Sequence, residues 1–289
     1  MLFLGDCEVY ESFIPAILWE EYGISSYVRG SAQQLVWQSY YLLEEMLKYE
    51  TPSAVVFNVY ALKYGVPQNK AYNRMTLDGM RWSSSKVGAI KASMTEDESF
   101  IEYIFPLLRF HSRITELTAD DVKYMLDTPM ASDSGYLMQT EIRPMTTERV
   151  GEELFDYTLP ATAFDYLERM RELCEEKGVE LILVKAPTNH WKFWWYEEWD
   201  AQILSYAERN GLDYINFIPL GDEMGIDWST DTYDEGMHLN VFGAEKFTRY
   251  FGNILSEKYG VEDRRGDSEL ASRWDDRVDA YYERKNSGK

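Results

Sequence analysis

Two stretches, Ala54-Val55-Val56-Phe57-Asn58-Val59 and Val179-Glu180-Leu181-Ile182-Leu183-Val184, are apolar at nearly every position rather than at alternate ones. Strands that read this way are covered on both faces, as in a parallel sheet held between two layers of helices. Leu2-Phe3-Leu4, Ser25 to Arg29 and Asp213 to Phe217 supply three further short strands. Helical patterns separate them. Val9, Phe13, Ile14, Ile17 and Leu18 predict a first helix that Gly23 ends, and Ser31 suits the N-cap of a long helix from Ala32 to about Tyr49. Later helices are predicted from Pro160 to Lys177 ahead of Gly178, through Ala207 ahead of Gly211, and from Val241 or Gly243 through Leu255. Five strands alternating with helices long enough for crossovers predict an α/β fold, a three-layer α/β/α sandwich on a central five-stranded parallel sheet.

The alternation lapses between residues 61 and 155, which read as a largely helical insertion packing over the active-site end. Residues 97–126 look helical in two pieces around Pro106 and Thr118, and Gly135 to Pro144 alternates weakly, like a hairpin arm. Residues 1–260 thus form one α/β domain, and 261–289 a charged tail in which Trp274, Val278 and Tyr281 are spaced for one more docked helix.

Charge bounds the function. A formal net charge of −21 opposes a nucleic-acid backbone or an anionic lipid surface as the main partner. The insertion departs locally, with eight Lys or Arg against five Asp or Glu between Tyr60 and Arg113; a solvated, paired surface is favoured there over an anionic-substrate site. Cys7 and Cys174 have no metal-ligand spacing, so neither a zinc site nor a disulfide framework is implied, and no metal or cofactor is expected. No apolar run of about 18 residues is present, and no signal segment precedes the first strand. That strand begins so abruptly that a trimmed leader or membrane anchor is an expectation, and localisation stays open.

Ligands of open parallel sheets bind outside the carboxyl ends of the strands. The residues just past those ends are Asp6-Cys7, Gly30, Asn58, Pro187 to His190 and the loop after Phe217. Cys7 stands where a strand turns into a helix, a placement that suits an attacking thiol, and equally suits a packed one. The last loop carries Asp234-Glu235-Gly236-Met237-His238, in which an acid can fix the tautomer of an imidazole whose other nitrogen faces a nucleophile. His190 stands beside Trp191, Trp194 and Trp195, rings that either stack on a sugar or cover an apolar edge. Asp6, His190, Trp191, Arg81 and Trp82 are the candidate substrate contacts, while His111 and Cys174 read as structural.

Taken together and in this order, Phe3-Leu4-Gly5-Asp6-Cys7, Arg29-Gly30-Ser31, Val56-Phe57-Asn58 and Asp234 to Asn240 with Gly243-Ala244 resemble the four blocks of the SGNH (GDSL-like) hydrolase superfamily. Within it they resemble the extracytoplasmic branch related to polysaccharide O-acetyltransferases and the DltD-like proteins. The likeness covers roughly residues 1 to 60 and 160 to 258. It implies Cys7 as nucleophile, His238 as general base, Asp234 or Glu235 as its orienter, and the Cys7 N–H, the Gly30 N–H and the Asn58 side chain as oxyanion hole. It further implies an esterase or O-acyltransferase moving acetyl-type groups on a carbohydrate or other acylated small molecule, with an extracytoplasmic or membrane-anchored setting and an envelope partner. The alternative is an inactive relative whose cleft binds a glycan or an assembly partner. Three departures stand out. Cysteine replaces the family's serine, the acid three residues before the histidine is Glu235 although Asp234 has the shorter reach, and Asn58 lacks the usual Gly-x-Asn-Asp context.

Overall fold

The computed structural model describes residues 1–105, 108, 132–147, 151–189 and 195–287. Five strands, β1 (Leu2–Gly5), β2 (Tyr27–Gly30), β3 (Ala54–Asn58), β4 (Glu180–Lys185) and β5 (Asp213–Asn216), form one all-parallel sheet in the order β2-β1-β3-β4-β5. Period-two alternation splits the strand residues between two cores. Leu2, Leu4, Val55, Phe57, Leu181 and Leu183 pack with the helices α3 (Val36–Met46), α5 (Ser84–Ser93), α7 (Ala161–Lys177) and α8 (Glu197–Asn210). Phe3, Val56, Ile182 and Val184 pack on the other face with α1 (Cys7–Ser12), α2 (Pro15–Tyr22), α9 (Val241–Glu257) and α10 (Ser268–Ser287). The result is the three-layer sandwich. From β1 the chain steps to β2 on one side and then crosses back to β3 on the other, so the order reverses between β1 and β3, and this is where such sheets leave a crevice.

Several local expectations are corrected. The first helix is two helices, because Pro15 has no N–H to continue α1 and instead opens α2, while the Ile14 N–H turns to Thr248 Oγ1 at 3.1 Å. α3 begins four residues later than expected, with Gln38 Oε1 accepting from the Leu35 N–H at 2.9 Å; Ser31 is occupied with Gln34 and Thr76. In the insertion, α4 (Lys70–Asp78) and α5 pack toward α3, where Gln38 Nε2 donates to Asn73 Oδ1 at 2.9 Å and Trp37 Nε1 to Ser93 Oγ at 3.1 Å. α6 (Phe100–Ile104) follows. The helical pieces expected around Pro106 and Thr118, and His111 with them, lie outside the described residues.

The segment expected as a hairpin arm forms no ladder. Residues 136–147 run as a strap held by scattered backbone bonds: the Leu137 N–H to Tyr10 O at 2.7 Å, the Val241 N–H to Gln139 O at 2.7 Å, the Arg143 N–H to Thr232 O at 2.9 Å and the Glu235 N–H to Arg143 O at 2.8 Å. α10 docks on the layer formed by α2 and α9. Trp274 stacks on Trp19 with centroids 5.6 Å apart, and Tyr281, fully buried, donates to Glu245 Oε1 at 2.8 Å. No described helix is long and apolar enough to cross a membrane.

Candidate active site

Cys7 emerges at the carboxyl end of β1, beside the point where the strand order reverses. Gly5 makes the corner with φ +153°, and a Cβ there would lie 2.5 Å from Val9 Cγ2 and 2.9 Å from Asn58 Cβ. Asp6 caps α1, its Oδ1 accepting from the Glu8 N–H at 3.2 Å, and Cys7 is the first helical residue, whose N–H has no partner within the helix. Gly30 pairs with Gly5 across β1 and β2, so close that a Cβ would stand 2.8 Å from the Asp6 carbonyl oxygen.

From the far side of the sheet comes the loop between β5 and α9. A single antiparallel bridge, Thr232 with Leu239, closes residues 233–238 into a small loop. Asn240 anchors it from below: its Oδ1 accepts from the N–H groups of Phe242 and Gly243, and its Nδ2 donates to Thr230 O at 2.8 Å and Glu141 O at 3.0 Å. The loop after β4 holds it from the side, with the Asn189 N–H on Gly236 O at 2.9 Å.

These supports bring His238 Nε2 to 3.1 Å from Cys7 Sγ. Asp234 Oδ2 lies 2.5 Å from Nδ1, and its Oδ1 accepts from the His238 N–H at 2.8 Å, so this acid fixes both the ring and its backbone. Glu235 points elsewhere. Its backbone is left-handed at φ +66°, and its carboxylate pairs with Arg143 at 2.8 Å. The acid four residues before the histidine is therefore the one that reaches the imidazole.

Other candidates are committed to other partners or lie elsewhere. Asn58, expected in the oxyanion hole, is fully buried, and its Nδ2 donates to Glu8 Oε2 at 2.9 Å and Asp6 Oδ1 at 3.3 Å while its Oδ1 accepts from the Ala186 N–H at 3.0 Å. It is a strut beneath the site. Asp6, expected to touch substrate, is 1 % exposed and faces the same strut. Arg81 lines a cavity of about 950 Å³ whose walls include Met1, Leu2, Pro52 and Ser53, at the amino ends of the strands and away from Cys7. Trp82 is exposed, with Lys86 Nζ 4.6 Å over its ring. His190, Trp191 and Trp194 lie outside the described residues; Trp195 is fully buried in the core, so that ring covers an apolar surface.

Five groups that sequence reasoning passed over surround the site. Lys185, at the end of β4 and 0 % exposed, bonds both oxygens of Glu8 at 2.8 and 2.9 Å, a buried ion pair held by the residue that follows Cys7 in the chain. Glu11, on α1, sets Oε2 3.5 Å from His238 Nδ1, and Tyr233 donates its hydroxyl to Glu11 Oε1 at 2.8 Å. Lys63, just past β3, lies over the Tyr60 ring at 3.6 Å. The signal for Lys185 was an ammonium placed straight after the run Leu181 to Val184; Glu8 and Glu11 read like any solvated helix acid.

Burial and acids set the titrations. Burial and the Asp6 carboxyl push the Cys7 thiol up to about 11, against the pull of His238. Burial alone would lower His238, but the Asp234 hydrogen bond and the charges of Cys7 and Glu11 outweigh it and hold the imidazole well above its ordinary value. Burial and the neighbouring Glu8 raise Asp6 to about 7, and burial draws Lys63 down to about 8. The site thus pairs a reluctant thiol with an unusually basic imidazole. Among the described residues no cluster of three or more His, Cys, Asp or Glu side chains is arranged to hold a metal ion.

Compared with family models and with curated proteins, the chain matches none.

Proposed function

We propose that the protein is a cysteine-dependent acyl esterase or O-acyltransferase of SGNH type, acting on acetyl-type esters of a carbohydrate or other hydroxyl-bearing small molecule. The observation that carries this reading is the alignment of Cys7 Sγ, the His238 ring and Asp234 Oδ2 at 3.1 and 2.5 Å across the reversal point of a parallel sheet. Nucleophile, base and orienter in that geometry are the parts acyl transfer needs.

The chemistry follows from the atoms. Cys7 Sγ bonds to the acyl carbon as its proton passes to His238 Nε2, and the carbonyl π pair moves onto oxygen. The Cys7 N–H at the start of α1 and the Gly30 N–H beside it are the proposed donors to that oxyanion. Collapse expels the alkoxide, which takes the proton from Nε2 and leaves a thioester on Cys7. Water or an acceptor hydroxyl then attacks the thioester, again giving its proton to His238, and the departing Cys7 thiolate recovers that proton.

A second reading is favoured by two observations. The thiol is pushed up to about 11, and the Asn58 amide is committed to Glu8 and Asp6, which suits a binding cleft that has lost turnover. Acid-quenched mass spectrometry after exposure to 4-nitrophenyl acetate, and separately to an acetylated xylo-oligosaccharide, separates the two. Acyl transfer requires one acetyl group on Cys7, removable by neutral hydroxylamine, missing in Cys7→Ala and slower to form in His238→Ala. No acetyl-Cys7 with either ester, in a chain that still binds the oligosaccharide, decides for the binding cleft.

A further inference from the structure

We propose that Glu11 is a second positioning carboxylate for His238, sharing the imidazolium charge with Asp234 and thereby strengthening the base that must deprotonate Cys7. The inference rests on the acyl-transfer reading for its purpose, and on geometry for its substance.

The imidazole has one Nδ1 hydrogen, and Asp234 Oδ2, at 2.5 Å, accepts it. Glu11 Oε2 lies 3.5 Å from the same nitrogen, too far for a second hydrogen bond but close enough for a strong charge interaction in a site shielded from water. The Glu11 side chain is 4 % exposed, and among the described residues its Oε2 has no hydrogen-bond donor. A buried carboxylate oxygen in that condition is costly, unless a positive charge forms next to it. The charge that can form there is the imidazolium. Tyr233 fixes the arrangement, because its hydroxyl holds Oε1 at 2.8 Å and its ring lies nearly parallel to the imidazole, the planes 20° apart.

A second carboxylate answers a specific difficulty of this site. Moving the proton from Sγ to Nε2 is governed by the difference between the two proton affinities, and burial above all, with Asp6 and to a smaller extent Glu11 itself adding to it, has raised the thiol's. An anion on the Nδ1 side raises the affinity of the acceptor and narrows that difference. Glu11 itself titrates in company. Cys7, Glu8 and Tyr10 face it from its own helix, His238, Asp234 and Tyr233 from the catalytic loop, and Tyr136 from the strap. Burial raises it to about 7 against the pull of His238 and Tyr233, so its charge develops across neutral pH.

The test reads the His238 ring directly. Three histidines make ¹⁵N-labelled imidazole spectra assignable, with the His238 signals identified by their loss in His238→Ala. Glu11→Gln keeps an acceptor for Tyr233 but removes the charge. Its His238 midpoint is expected to fall by about one unit, and the rate of Cys7 alkylation near neutral pH by about tenfold, since one unit is a tenfold change in proton affinity. Glu11→Asp, which keeps the charge, restores part of both. Tyr233→Phe, which deprives Glu11 of its stabilising donor, shifts the midpoint in the same direction should Glu11→Gln not fold. A His238 midpoint unchanged in a cooperatively folded Glu11→Gln or Tyr233→Phe chain overturns the proposal. If the midpoint falls while Cys7 reacts identically with and without His238, Glu11 keeps its role and the acyl-transfer reading fails.

Discussion

Replacing Lys185 with Met tests whether the buried Lys185–Glu8 ion pair is as dry as its geometry says. Lys185 Nζ touches both Glu8 oxygens at 2.8 and 2.9 Å, with the two side chains 0 % and 2 % exposed. Methionine keeps the length of the lysine stem, and its thioether can pack beside the Tyr60 and Trp195 rings that Nζ now approaches at 5.4 and 5.6 Å. What is lost is the countercharge. Glu8 would keep one donor, Asn58 Nδ2 at 2.9 Å, and an uncompensated buried carboxylate of this kind costs about 3–5 kcal/mol. With a urea dependence near the upper end of about 1–3 kcal/mol per molar, the unfolding midpoint should fall by roughly 1–2 M. Adding Glu8→Gln removes the stranded charge and keeps the Asn58 partner, so the double variant should recover to within about 1–2 kcal/mol of the unchanged chain. Urea unfolding followed by tryptophan fluorescence measures all three variants. A Lys185→Met cost below about 1 kcal/mol, or a double variant less stable than the single one, would refute the reasoning, because either result requires water to reach the pair.

Further outcomes follow from the same site. Asp234→Asn should slow Cys7 alkylation by iodoacetamide at least tenfold near neutral pH, whereas Glu235→Gln, which weakens its pair with exposed Arg143, should stay within about twofold. Asn58→Ala should cost about 2–4 kcal/mol of stability by calorimetry, since it strands the buried Ala186 N–H and takes a donor from both the Glu8 and the Asp6 carboxylates; a pure oxyanion donor would change turnover and leave the unfolding temperature in place. For Asp6, burial raises the folded value from 3.8 to about 7, so the folded chain holds that proton more tightly than the unfolded chain does. The stability this contributes is complete below the unfolded value and disappears as pH rises to about 7, so Asp6→Asn should gain on the unchanged chain across that window, and pH-independent parallel curves would contradict the assignment.

Much of the architecture was written in short local patterns. Val55 to Phe57 and Leu181 to Val184 announce strands covered on both faces, and Gly178 and Gly211 mark helix ends that the structure also has. The site was legible where its parts are punctuated by glycine and joined by short spacings, as in Gly5-Asp6-Cys7 and Asp234 to His238. Elsewhere the deciding contacts are distant. Ser31 has the chemistry of a cap, but Gln38 does the capping because Ser31 is drawn to Thr76 on another helix. Asn58 has the chemistry of an oxyanion donor, but buried acids from α1 claim its amide. Glu8, Glu11 and Lys185 look like surface charges until the sheet brings them together, since nothing in a sequence distinguishes a carboxylate facing water from one facing another strand's ammonium.

Cys7 and His238 are 231 residues apart. A ribosome therefore releases the thiol long before the imidazole exists, and during that interval Cys7 is an ordinary cysteine with a value of about 8.5, open to every oxidant and electrophile it meets. Folding withdraws it, raising the same thiol to about 11 while placing beside it one base able to take its proton. The native structure then acts somewhat as a protecting group does in the synthetic chemist's sense, slowing the sulfur toward general reagents while the neighbouring imidazole keeps it available to a partner that arrives in the right orientation.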